Sequence, residues 1–141
     1  PKDWYLKKDG KRKPHKQWHP AMICCNALSW SGLGFDNKGI TKAVENPLLE
    51  NIHYLDLSKN MLSRSGYKEL FGCEYLSNVR ELDISGNYFS SGVVKDMDKL
   101  KASWPYFQKL TMMDSFYEGI YDCKAAVQKI ADRDNWSAEL P

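Results

Sequence analysis

No stretch of 18 apolar residues occurs in the 141-residue chain, so no segment reads as a membrane-spanning helix. Cysteine is scarce, and Cys24, Cys25, Cys73 and Cys123 form neither a C-x-x-C pair nor a dense framework. They read as reduced, mostly buried residues of an intracellular protein, not as disulfide staples or a zinc site. The chain has no G-x-S-x-G, no P-loop, no H-E-x-x-H and no G-x-G-x-x-G. The common motif-borne hydrolase, nucleotide and metalloprotease chemistries therefore have no foothold. Residues 1–19 lack serine and any apolar stretch, which argues against a secretory signal and against a transit peptide.

What is present is the composition of one folded core. Hydrophobic residues make up 43%, charged residues 27% and aromatics 13% of the chain, which is too apolar for wholesale disorder. Charge is split along the sequence. Residues 1–19 carry seven basic and two acidic side chains, a balance of +5, so the remaining 122 residues hold −3 against a total of +2. A basic arm precedes a mildly acidic body. Asp9-Gly10 lies between Lys7-Lys8 and Lys11-Arg12, and Asp-Gly favours a two-residue hairpin turn.

An internal repeat sets the fold class. Ile52-x-x-Leu55-x-Leu57-x-x-Asn60-x-Leu62 recurs 27 residues later as Val79-x-x-Leu82-x-Ile84-x-x-Asn87-x-Phe89. Degraded copies flank this pair: Cys25, Leu28, Trp30, Leu33 and Phe35 upstream, and Phe107, Leu110, Met112, Ser115 and Tyr117 downstream. Alternation at Leu55 and Leu57 predicts a short strand with one inward face. Asn60 then turns the chain, with an amide able to bond the backbone of a neighbouring coil. Gly39, Gly66 and Gly92 suit a turn into the return segment, where Tyr67, Leu70 and Phe71, then Val93, Val94 and Met97, have helical spacing. The pattern resembles the long leucine-rich repeats of the ribonuclease-inhibitor type over residues 22–117. The resemblance implies an α/β solenoid of about four repeats, with parallel strands on a concave face and helices on a convex face. It speaks for fold and not for function.

After Tyr117 no L-x-L strand is legible. Ile120, Cys123, Val127, Ile130 and Ala131 form one apolar stripe, predicting a C-terminal capping helix. The expected organisation is an arm over 1–21, the solenoid over 22–117, and a cap and tail over 118–141.

Stacked strands would set equivalent outward residues in rows about 4.8 Å apart. One row is Ala27, Tyr54, Glu81 and Lys109; the next is Ser29, Asp56, Asp83 and Thr111; the third is Ser31, Ser58, Ser85 and Met113. Tyr54, Asp56, Ser58, Glu81, Asp83, Ser85, Lys109 and Thr111 are the candidate partner-binding residues of this face, with Lys109 expected to pair with Glu81. A small acidic, hydroxyl-rich surface suits a basic partner; an ordinary solvated sheet face is the equal alternative. In the arm, Trp4, Lys7, Lys8, Lys11, Arg12, Lys13 and Trp18 interleave charge and aromatic surface for a protein or RNA partner.

His15 and His19 are spaced i, i+4 ahead of Cys24-Cys25, but Pro14 and Pro20 shorten any helix that could converge them on a metal. Cys24 or Cys25 with His53 makes a poor nucleophile pair, since Cys25 falls at a core position. The sequence thus points to a non-catalytic interaction or assembly subunit of a larger intracellular complex, without cofactor or metal. It would be cytoplasmic or organellar, mitochondria included, and not secreted. The rival expectation is an RNA-binding component of a ribonucleoprotein particle, such as a ribosome, using the arm; salt dependence separates the two.

Overall fold

The computed structural model describes residues 3–6, 12–15, 26–117 and 120–141, with side chains described for 26–115 and 123–141. In the arm, β1 (Asp3–Leu6) and β2 (Arg12–His15) pair antiparallel, with Trp4 across from Pro14 and Leu6 across from Arg12. The Asp9-Gly10 turn expected between these strands lies outside the described residues. Strand β1 also runs beside the 3-10 turn Pro47–Asn51.

The main sheet is parallel and in chain order. Strands β3 (Ala27–Ser29), β4 (Tyr54–Asp56), β5 (Glu81–Asp83), β7 (Lys109–Thr111) and β9 (Ser137–Glu139) are successive neighbours. Their register aligns Leu28, Leu55, Leu82, Leu110 and Ala138. Each sequence period is therefore one step across the sheet. A second parallel pair joins β6 (Tyr88–Phe89) to β8 (Phe116–Tyr117).

Helices α1 (Asn37–Ala43), α2 (Arg64–Gly72), α3 (Ser91–Met97) and α5 (Ile120–Asp134) stack in the same order as the strands, with the short α4 (Leu100–Ser103) after α3. Leu28, Leu55, Leu57, Leu82, Ile84 and Leu110 meet Ile40, Tyr67, Leu70, Val93 and Met97 in one buried cluster. Strand alternation and helical spacing aim these apolar residues at each other, and burying them drives the layers together. Trp104 and Trp136 are buried on this body, linked by Phe107 with ring centroids 5.9 and 5.2 Å away.

Two expectations change here. The helix over Ile120–Asp134 forms, with Cys123, Val127 and Ala131 buried, but it packs beside α3 and against β9. It does not end the sheet. The chain leaves it through Asn135 (φ 61°), and the Trp136 N–H donates to the Ala131 carbonyl at 3.0 Å. That six-to-one bond closes the helix and turns the chain into a fifth strand, so the sheet extends past residue 117. The periodicity continues without its leucines: Ser137 follows Lys109 by 28 residues.

The second change concerns the glycines. Gly39, Gly66 and Gly92 lie inside the first turns of α1, α2 and α3, not in a preceding turn, and none has positive φ. Gly66 and Gly92 instead make room for the neighbouring coil. A Cβ on Gly66 would meet Asn37 Oδ1, and one on Gly92 would stand 2.7 Å from Arg64 Cδ. Left-handed backbone is used elsewhere, after each of the first four strands of the main sheet: at Gly32 (66°) and Gly34 (73°), Lys59 (55°), Gly86 (71°) and Asp114 (52°).

Candidate functional site

The sheet's solvent face is built by the strand register, because alternate residues of each three-residue strand point away from the core. Row one runs Ala27, Tyr54, Glu81, Lys109, Ser137, and row two runs Ser29, Asp56, Asp83, Thr111, Glu139. The carboxylates of row two are held by their own turns. Asp56 Oδ1 accepts from the Ser58 N–H at 2.9 Å and from Ser58 Oγ at 2.6 Å, while Oδ2 accepts from Ser29 Oγ at 3.3 Å. Asp83 Oδ1 accepts from the Ser85 N–H at 2.9 Å. Both side chains are therefore held in place on the face, and neither forms an ion pair among the described residues.

The expected Lys109–Glu81 pair is corrected. Lys109 Nζ lies 2.8 Å from Glu139 Oε1 on β9, the strand that the sequence did not show. The hydrogen bond to Glu139, then its charge, pushes the Lys109 ammonium above its ordinary value; Glu81 adds a smaller push. On β4 the Tyr54 hydroxyl is also pushed up, first by burial and then by Asp56, Asp83 and Glu81. The face holds four carboxylates, Asp56, Glu81, Asp83 and Glu139, against one ammonium that is already engaged. It is an electronegative surface that carries the Tyr54 ring on its second strand.

Not every predicted site residue is available there. Ser58 is buried, its hydroxyl shared between Asp56 and Ser31 Oγ at 2.8 Å. Ser85 Oγ accepts the Met113 N–H at 2.9 Å, so it too braces the sheet. Tyr54, Asp56, Glu81, Asp83, Lys109 and Thr111 share the face as expected, and Glu139 joins them. In the arm, the backbone of Trp4 lies on β1 and those of Arg12 and Lys13 on β2. Lys7, Lys8, Lys11 and Trp18 lie outside the described residues, as do His19, Cys24 and Cys25.

No family model and no curated protein matches the chain. Among solved structures, the Mex67:Mtr2 subunits from Chaetomium are similar over 74% of each chain, with 18% sequence identity and a TM-score of 0.49.

Elsewhere, the described residues line two open grooves, among others. One, of about 370 Å³, contains Cys73 between Glu69 and Glu74. Burial pushes the Cys73 thiol up, and its Sγ donates to the Val44 carbonyl at 3.3 Å, which is the opposite of an activated nucleophile. The other, of about 420 Å³, lies between α3 and α5, where Arg133 Nη1 reaches Asp98 Oδ1 at 2.6 Å. No described helix is long and apolar enough to cross a membrane, and no group of three metal-ligating side chains occurs among the described residues.

Proposed function

We propose that the chain is a short leucine-rich-repeat solenoid of the long-repeat type that works as a non-catalytic interaction or assembly subunit inside the cell. It binds a basic protein partner through the solvent face of its sheet. The observation that carries this reading is the coincidence of register and charge. The 27–28-residue period of the sequence is the step between hydrogen-bonded strands, and it gathers Asp56, Glu81, Asp83 and Glu139 on one sheet face, where the one ammonium of the two rows, Lys109, is already paired with Glu139. Like charges on adjacent strands repel, and a cationic partner relieves that repulsion as it docks.

The test is Asp56→Asn combined with Asp83→Asn, compared with the native chain by affinity purification from the native source. Complexes should be lost or weakened, while thermal stability stays the same or rises slightly because repulsion is removed. Full recovery of every partner by the double variant overturns the reading. Running both samples with and without nuclease separates protein from RNA partners: association through the basic arm and RNA would disappear with nuclease and ignore the aspartates.

A further inference from the structure

Large apolar side chains exposed singly are ordinary on a protein surface, but a row of them is informative. Leu33 (62% exposed), Met61 (54%), Tyr88 (53%) and Met113 (39%) lie in the segments that follow β3, β4, β5 and β7 of the main sheet. Met61 and Tyr88 sit at the same repeat position, five residues after Asp56 and Asp83 respectively. Their placement is fixed by the backbone: the Met61 N–H donates to the Phe35 carbonyl at 2.8 Å, and the Tyr88 N–H donates to the Leu62 carbonyl at 3.0 Å. Met113 belongs to the row between this rim and the acidic one. One exposed apolar side chain thus follows each of four successive strands, Met61 and Tyr88 in one register and Leu33 and Met113 at other positions of their turns, which makes an interrupted apolar ridge on the side where the chain leaves the row of Asp56 and Asp83.

We propose that ridge and carboxylate row are the two halves of one docking site, and that its occupant is an extended, basic, amphipathic segment of another protein. The inference rests on the reading of the acidic face given above and adds the partner's chemistry. Charge complementarity selects the basic character, since Asp56 and Asp83 have no cationic partner among the described residues. The parallel course of the two rows selects the amphipathic character. In an extended chain successive side chains point to opposite edges, so alternating cationic and apolar residues would face one row each. Three steps between coils span about 14 Å, close to two i, i+2 steps of an extended chain at about 6.7 Å each. A segment of about five residues therefore covers the ridge.

The experiment uses the full chain and two labelled probes, a short peptide alternating Lys with Leu and one alternating Lys with Ser. The Lys-Leu peptide should bind about tenfold more tightly, a difference of about 1.4 kcal/mol. Met61→Ser with Tyr88→Ser should abolish that preference and leave the Lys-Ser affinity unchanged. Leu33→Ser with Met113→Ser should reduce it, and keeps the test alive if the first pair disturbs folding by circular dichroism. Asp56→Asn with Asp83→Asn should weaken both peptides. Preference for Leu that survives both ridge variants overturns the proposal. Equal affinities in the native chain, with Lys-Ser binding still lost in the aspartate variant, overturn the ridge and leave the acidic face standing. Binding of neither peptide overturns both. Self-association of the native chain that vanishes in the Met61→Ser, Tyr88→Ser variant makes a second copy the occupant and also overturns the proposal.

Discussion

At the residue scale, two asparagines tie the turns that follow neighbouring strands together. Asn87 is fully buried: its Oδ1 accepts the Leu62 N–H at 3.0 Å, and its Nδ2 donates to the carbonyls of Leu57 and Ile84 at 2.9 and 3.0 Å. Asn60 repeats the pattern, accepting from Phe35 and donating to Trp30 and Leu57. An apolar residue could fill the volume but would strand these backbone groups away from water. Asn87→Ala should therefore destabilise by about 1–3 kcal/mol, read as a lower urea midpoint at constant slope. A midpoint equal to the native value would show that the ladder is dispensable. The acid limb of stability has a residue-scale source at Asp134. The Arg133 guanidinium, 2.8 Å away, holds the Asp134 carboxyl below its ordinary range. A carboxyl lowered in the folded state stabilises above about pH 4 and loses that contribution as pH falls through its folded value. Asp134→Asn should flatten the decline of melting temperature below about pH 4, by an amount that added salt diminishes. A native and variant profile that superimpose would rule it out.

At the scale of elements, the helices are short and take their order from their neighbours. Asp36 caps α1 by accepting the Gly39 N–H at 2.7 Å, whereas Ser63 and Ser90 offer no such bond to α2 and α3. Asn37 does that work from the adjacent coil: its Oδ1 accepts the N–H groups of Ser63 at 2.9 Å and Gly66 at 3.1 Å. The cap of α2 is thus supplied in space and not in sequence. Gly66→Ala should destabilise, because its Cβ enters the position of Asn37 Oδ1 and breaks that cap. Gly72→Ala, at the end of the same helix with open space around it, should be neutral or stabilise by up to about 1 kcal/mol. Thermal melts of the two variants that move in the same direction would contradict close approach as the reason for Gly66.

At the scale of the whole molecule, side chains of β9 and α5 and of the segment between them pack onto the core. Trp136 packs edge-on against Phe107, and Ala138 and Leu140 lie partly buried against the same core. Trp136→Ala should cost about 3–5 kcal/mol and unfold the chain at a much lower denaturant concentration. A tail that merely followed a cap would tolerate the change within about 0.5 kcal/mol. The same strand places Glu139 beside Lys109, so β9 adds both to the core and to the charge of the solvent face.

Legibility followed the strength of the local pattern. The parallel strands at Leu55, Leu82 and Leu110, the rows of Tyr54 with Glu81 and Asp56 with Asp83, and the amphipathic helix before Asp134 were readable, because period-two and period-3.6 spacing are local and the 27-residue recurrence sets the register. Strand β9 was not readable, since Trp136, Ala138 and Leu140 carry the alternation without the leucines that mark it elsewhere. Its partner is fixed by hydrogen bonds to β7, not by its own residues. By itself, then, the sequence determined the repeat, its core positions and the acidic rows, because each copy repeats the same constraint. Only the tertiary structure decided which cation meets which carboxylate, which glycine yields space to a neighbouring coil, and which apolar side chains stay in water. Those outcomes depend on contacts between residues nearly 30 positions apart, and no local pattern records them.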